Sequence, residues 1–223
     1  MYTLHNPVRW IDPSGLSLAD VIIEAARLGV AIREANERAA AERAAAQREA
    51  ANAMAARAVL ISQLTPSTRV AEFIKSWEGF SLTRYDANPP HGDWTIGWGH
   101  KLFDDSIRTI TLQEAEALFA ADMNRMVNTS LMQFLIENDI LLTQYQFDAM
   151  VSFTFNFGQN IWNESLVGDR GAAMRNFLIA GDFSEEATRA AFSVYMGSRA
   201  LPGHIRRREA ELNMFLFGIY RNN

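Results

Sequence analysis

Between Ile32 and Met54 the chain reads REANERAAAERAAAQREAANA, with no large aliphatic or aromatic side chain. A helix without an apolar stripe has nothing to bury, so this stretch cannot belong to a core. Yet Ala, Glu, Arg and Gln are strong helix formers. Ser17, with Asp20 three residues on, is placed to cap a helix start. Opposite charges stand at i,i+4 in Arg33/Glu37, Glu34/Arg38 and Arg38/Glu42, each adding about 0.2–0.5 kcal/mol to a helix. As one helix, residues 17–64 would span roughly 70 Å. The expectation is a solvated spacer helix; the thin flank of a helical hairpin is the alternative.

This stretch divides the chain into 1–16, 17–66 and 67–223. The first segment, MYTLHNPVRWIDPSGL, has aromatics and a Pro-Ser-Gly turn signal but too little apolar surface to fold alone. The third must hold the core. Val70, Phe73, Ile74 and Trp77 mark an amphipathic helix from about Thr68, with Gly79 as a left-handed C-cap. Two β-prone stretches, 82–85 and 94–98, flank a turn. Thr111 and Glu114 form a capping box. Residues 143–157 have the apolar density of a central buried helix, Ser184 starts another helix, and the last covers about 205–218. The predicted class is α+β: mostly helical, with a small β-sheet, preceded by the long Ala-rich helix.

Bulk properties exclude several functions. Cysteine is absent, so there is no disulfide framework and no Cys-based metal site. His5, His91, His100 and His204 form no metal-ligand spacing, and no metal or other cofactor is expected. The net charge is −5, and the acidic excess lies wholly beyond residue 65, which disfavours nucleic-acid binding. No apolar run reaches a membrane span, and no signal peptide is visible.

The chemistry concentrates in EGFSLTRYDANPPHGDWTIGWGH, Glu78 to His100. A carboxyl at the end of an apolar helix is partly desolvated, and desolvation favours its protonated form. Glu78 has that setting and can donate a proton to a leaving oxygen. A second carboxylate on the adjoining hairpin could activate water on the opposite face of a bound sugar, and a hydroxyl such as Thr95 could hold that water. This is the arrangement inverting glycosidases use. The plainer reading of Glu78, a Glu at an exposed helix end, stands beside it. For His100 the plainer reading, a structural histidine, is preferred. So are core positions for Trp94 and Trp98.

The same segment resembles the active-site segment of phage-type lysozymes (endolysins, glycoside hydrolase family 24), whose pattern is Glu-Gly, then Tyr and Asp, then Thr-Ile-Gly-Tyr-Gly-His. LTQYQFDAMVSFTFNFG and ALPGHIRRREAELNMF resemble two further motifs of that family, in the same order. The resemblance covers about 67–218. It implies hydrolysis of the β-1,4 bond between N-acetylmuramic acid and N-acetylglucosamine in peptidoglycan. Glu78 would be the general acid and Thr95 a holder of the water. Asp86, which follows the matching Tyr85, would be the second carboxylate. The turn here is longer than the family's, and Asp93 is the competitor. Asn156 matches a position facing the sugar cleft. One of Arg206 to Arg208 is expected near Glu78, with Arg207 as a substrate-binding residue; a solvated helix face is the equal alternative for that run.

YTLHNPVRWIDPSGL resembles the closing segment of the Rhs repeat-associated core, a cage that precedes variable toxins. The two resemblances together imply a muramidase carried on an Rhs delivery protein to the cell wall or periplasm of a target bacterium. An immunity protein would be a further partner. A peptidoglycan-binding module that has lost its chemistry, and a lytic transglycosylase, are the competing readings.

Overall fold

The computed structural model describes residues 17–104, 106–163, 165, 169–197 and 201–221. The stretch that resembles the end of an Rhs core, 1–16, lies outside them. Helix α1 runs unbroken over Leu18–Ser62. The Asp20 backbone N–H donates to Ser17 Oγ at 3.3 Å, and the Ser17 backbone N–H donates to the Asp20 carboxylate at 3.0 Å, which closes the expected cap. Of the three expected charge pairs, Glu34–Arg38 closes to 3.9 Å. The chain divides into two compact units between Ala53 and Met54. In the first, the helix is solvated along almost its whole length, including Ile22, Val30 and Ile32, each at least half exposed.

The second unit begins inside α1. Ile61 is fully buried in its core, so the last turns of the Ala-rich helix pack with the C-terminal unit. Helix α2, Thr68–Trp77, buries Val70, Phe73 and Ile74. Its start is held by Asp148 of the central helix α5, Gln144–Phe157. The fully buried Asp148 carboxylate accepts from Ser67 Oγ (2.6 Å) and the Ser67 backbone N–H (3.2 Å). It also accepts from Gln144 Nε2 (3.0 Å) and the Tyr220 hydroxyl (2.5 Å). Ser67 Oγ in turn caps α2 by accepting from the Val70 N–H. One buried anion thus ties together the start of α2, the central helix and the C-terminal segment.

Helix α2 does not end as the sequence suggests. Gly79 does not adopt a positive φ; Glu78 is itself the C-cap, in extended conformation at φ −90°, ψ 143°. The chain has to enter strand β1, Ser81–Asp86, within three residues, and an extended exit does that where a left-handed turn would reverse the chain. Strands β2 (Trp94–Gly97) and β3 (His100–Lys101) complete an antiparallel sheet in the order β1-β2-β3. Tyr85 pairs with Thr95, and Asp86 with Trp94.

Beyond the sheet, α3 (Leu112–Met126) starts at the predicted Thr111 capping box. It runs into a π-helical turn, Val127–Leu131, and then α4, Met132–Glu137. Helix α5 is buried from Phe147 through Thr154 and is followed by a 3-10 turn, Gln159–Trp162. Helix α8 (Pro202–Phe217) packs along α5, α7 (Glu185–Ser193) against α8, and α6 (Asp169–Ala180) against α7 and the 3-10 turn. Helix α8 starts three residues before the predicted point, because Pro202 pre-sets the φ of a first helical turn at no cost in hydrogen bonds.

Asp148→Ala should destabilise the protein by about 3 kcal/mol, since it strips a fully buried carboxyl from four hydrogen-bond donors that meet on it. Glu34→Ala on the solvated helix should change stability by less than about 0.5 kcal/mol. Urea unfolding of the two variants beside the parent protein measures both.

Candidate active site

Glu78 stands where α2 gives way to the sheet, and its side chain is held from the far side of the molecule. Arg207 of α8 donates from Nη1 to Glu78 Oε1 at 2.5 Å. Arg207 is 4% exposed, and its Nη2 reaches the Ser152 carbonyl at 3.4 Å. Its Nε donates to Glu211 Oε1 at 3.3 Å. Glu211, one turn on, is fully buried; Oε1 also accepts from Ser152 Oγ at 2.6 Å and Arg208 Nη2 at 3.0 Å. Arg208 Nη1 lies 2.9 Å from Glu211 Oε2, as a close ion-pair contact rather than an aligned hydrogen bond. Arg208 Nη2 finally donates to Asn156 Oδ1 at 3.0 Å, and its guanidinium lies 4.9 Å from the ring centroids of Phe153 and Phe157.

Glu211 places a negative charge between the guanidiniums of Arg207 and Arg208, and Glu78 adds a carboxyl at the outer end of the chain. That is the condition for keeping two guanidiniums in an interior. Burial pushes the Arg208 pKa down, and Arg207 adds to that; Glu211 opposes both.

The second group lies on the hairpin. Asp86 Oδ1 accepts the backbone N–H groups of Asn88 and Asp93, and Oδ2 that of Gly92, all at 3.0 Å. Desolvation pushes the Asp86 pKa up, but the three donors outweigh it and hold the carboxyl below its usual 3.8. Asp86 thus shapes the turn and stays ionised. A carboxylate offers about four lone-pair directions, so one on Oδ2 is still open to a ligand. Asp93 pairs with Lys101 Nζ at 2.5 Å. Thr95 is 7% exposed, and its hydroxyl donates to the Asp93 carbonyl at 3.1 Å.

Tyr85 is linked to both groups. It precedes Asp86, pairs across the sheet with Thr95, and lies within electrostatic reach of Glu78. Desolvation first, and the Glu78 charge second, raise its phenol pKa.

The family model described as phage lysozyme matches residues 75–211, which span both groups. The chain belongs to the phage lysozyme family. It is 33% identical over 150 residues to the endolysin of Bacillus phage B103, which covers 67% of this chain and 53% of that protein. To the endolysin of Acyrthosiphon pisum secondary endosymbiont phage 1 it is 32% identical over 148 residues, covering 64% and 91%. The chain spans about half the length of the Bacillus phage endolysins it matches. Among solved structures, it resembles the muramidase domain of SpmX from Asticaccaulis excentricus. The TM-score is 0.51 at 27% identity, over 69% of this chain and 99% of that one. The endolysin from Escherichia coli O157:H7 phage FAHEc1 shares the fold, with a TM-score of 0.53 at 23% identity, over 71% and 98%.

In this chain, the residues singled out from the sequence fall into the same two groups. Glu78, Arg207 and Asn156 join one hydrogen-bonded chain; Asp86, Asp93 and Thr95 share the hairpin. Asn156 is exposed at the end of α5 and is reached by Arg208, not Arg207. His100 is bound to Asp122 at 2.7 Å, in keeping with a structural histidine. Arg84 covers Trp94, and Trp98 packs 4.3 Å from Phe80, so both tryptophans are partly buried. Sequence reading did not single out Glu211 or Ser152. Their signal was present: Glu211 follows Arg207 by four and Arg208 by three, the spacing of same-face helix neighbours, and an acid there can be buried only if paired.

Among the described residues, no group of three or more His, Asp or Glu side chains could hold a metal ion.

Glu211→Gln keeps the shape of the buried chain but leaves two guanidiniums with too little negative charge, and should cost about 3 kcal/mol or more in chemical denaturation. For Asp86, the folded pKa is depressed, so its contribution to turn order is present above the unfolded value and lost as pH falls through the folded one. In an NMR titration, the amide signals of Asn88, Gly92 and Asp93 should move together, with a midpoint below 3.8.

Proposed function

We propose that this protein is a peptidoglycan hydrolase, a muramidase that cleaves the β-1,4 bond between N-acetylmuramic acid and N-acetylglucosamine with inversion. The observation that carries the reading is the pair of carboxyls in a phage lysozyme chain. One sits at a helix end, fixed by a buried arginine; the other sits on the hairpin, kept ionised by three backbone N–H groups. Glu78 serves as general acid: its proton goes to the glycosidic oxygen as the bond to the anomeric carbon breaks. Positive charge then develops on the sugar ring, and the fixed Asp86 anion stabilises it. The Thr95 hydroxyl directs its hydrogen to the Asp93 carbonyl, so its oxygen is left to accept. A water that donates to Thr95 Oγ1 and to the open Oδ2 position of Asp86 presents a lone pair to the anomeric carbon. As it attacks, its proton passes to Asp86. A carboxylate of lowered pKa is a weak base, so Asp86 acts chiefly as a fixed charge and a water anchor. Asp93 has its own claim, because it is half-buried beside Thr95, but its carboxylate is shared with Lys101.

We extend the reading to delivery. The Asp12-Pro13-Ser14-Gly15-Leu16 ending and the solvated α1 helix fit an enzyme carried at the end of an Rhs-type protein to a target cell wall, with 17–66 as the spacer and an immunity protein in the producer. A survey of neighbouring genes that finds no small inhibitor able to rescue growth would sink this extension.

Mass spectrometry of soluble products from purified peptidoglycan tests the chemistry. The parent protein should release reducing muropeptides, and Glu78→Gln should lower the rate by roughly 10²–10⁴-fold. NMR of the first product should show the inverted anomer. Asp86→Asn should lose far more activity than Asp93→Asn; the reverse result would transfer the water-holding role to Asp93. Anhydro products would make the protein a lytic transglycosylase. Wall binding without products would make it a binding module.

A further inference from the structure

Glu78 can hold its proton on either carboxyl oxygen, and its neighbours decide which. Arg207 Nη1 aims its hydrogen at Oε1, 2.5 Å away. A guanidinium only donates, so Oε1 has to accept, and the proton of a neutral Glu78 sits on Oε2. Among the described residues Oε2 has no hydrogen-bond partner, and the side chain keeps 23% of its surface in solvent. In the transfer the Oε2–H bond breaks and an O–H bond forms on the leaving oxygen, which also takes the electron pair of the cleaved C–O bond. Negative charge is left on the carboxyl, where a guanidinium already aimed at Oε1 stabilises it without turning.

The aim of Arg207 is set from behind. A guanidinium is planar and rigid, so fixing two of its nitrogens fixes the third. Nε donates to Glu211 Oε1 at 3.3 Å, and Nη2 to the Ser152 carbonyl at 3.4 Å. Both bonds are long, so the direction they impose depends on how firmly each acceptor is held. The carbonyl belongs to the backbone of α5. Glu211 Oε1 is held by three donors: Arg207 Nε, Arg208 Nη2 and Ser152 Oγ. The two arginines stand on α8 with Glu211 itself, on long rotatable stems. The Ser152 hydroxyl makes the shortest of the three contacts, 2.6 Å, and alone ties Glu211 to a different helix.

Ser152 has an alternative that it does not take. A serine or threonine inside a helix can bond back to the carbonyl one turn earlier. Thr154 does so on the same helix, donating from Oγ1 to the Met150 carbonyl at 2.6 Å. Ser152, equally buried, directs its hydrogen across to Glu211 instead. One residue thus serves Arg207 twice: its carbonyl receives Nη2, and its hydroxyl steadies the acceptor of Nε.

We propose that Ser152 is a positioning residue for the acid. Its hydroxyl fixes Glu211, Glu211 fixes the plane of Arg207, and Arg207 leaves the proton of Glu78 on the oxygen that faces the substrate. The proposal rests on the hydrolase reading for the role of Glu78. Ser152 is fully buried and touches neither substrate nor reacting atoms, so its effect falls on the chemical step and not on binding.

The test compares the full chain with Ser152→Ala, which removes the hydroxyl, keeps the carbonyl and changes no charge. Thr154→Val is the control, since that buried hydroxyl bonds to Met150 and Trp162 and not to the arginines. On soluble peptidoglycan fragments, Ser152→Ala should lower kcat roughly tenfold and keep KM within about twofold, because a small misplacement near the reacting atoms is costly. On a dinitrophenyl glycoside of the wall disaccharide, whose leaving group needs little help from a proton, the loss should stay within about twofold. In a proton–nitrogen correlation spectrum, the Arg207 Nε signal should move in Ser152→Ala and stay in place in Thr154→Val. Equal losses on both substrates, a change in KM alone, an unmoved Nε signal, or the same kcat loss in Thr154→Val would overturn the proposal. If the parent chain hydrolyses neither substrate, the hydrolase reading fails on its own, and the Nε signal still decides whether Ser152 places Arg207.

Discussion

Everything about Glu78 depends on Glu211. A glutamate with no exposed surface is costly to bury, and it is tolerable here because it meets two guanidiniums and a serine hydroxyl. In return it permits two arginines to lie inside the unit. One reaches out to Glu78, and the other to Asn156. Neither could do so without an internal anion between them, because adjacent buried cations repel and lose hydration together. The side chain that presents the acid at the surface is thus positioned by a charge arrangement whose centre lies on a different helix, well over a hundred residues later in the chain.

Asp148 plays a comparable part at the opposite end of the same two helices. It caps the entry to α2 through Ser67, while Arg207 holds the exit of α2 through Glu78. Both anchors start from α5 or its partner α8, so the ten-residue helix α2 is clamped at each end to the interior. A short amphipathic helix is marginal by itself. Clamped in this way, it can end abruptly at Glu78 in extended conformation, and it needs no glycine cap to do so.

Local signals were legible in the sequence because their causes are local. Thr111 and Glu114 announce a cap, the apolar density of 143–157 announces a buried helix, and the lack of large apolar side chains from 33 to 53 announces solvated helix. At Gly79 the local signal and the structure part: a glycine after a helix suggests the left-handed conformation, while the actual geometry is set by where the next strand must begin. The triple arginine could not be resolved from composition: Arg206, Arg207 and Arg208 are chemically identical. Only the helical phase decides that Arg207 and Arg208 turn inward while Arg206 stays at the surface. The acid at Glu211 would have settled the phase, since it selects the arginines three and four residues before it.

The longer turn between Asp86 and Thr95 also has a physical account. Relative to the family pattern, extra residues separate the aspartate from the threonine, which would be expected to carry the carboxylate away from the hydroxyl. Asp86 answers this by folding the turn around itself. Its two oxygens gather the N–H groups of Asn88, Gly92 and Asp93, so the added residues become a loop closed on the carboxylate rather than an extension of the strand. Asp86 still pairs with Trp94, immediately before Thr95. The insertion is therefore absorbed between two residues that stay neighbours in the sheet. The same three bonds that preserve the register lower the pKa of the carboxyl, so geometry and charge state have one cause.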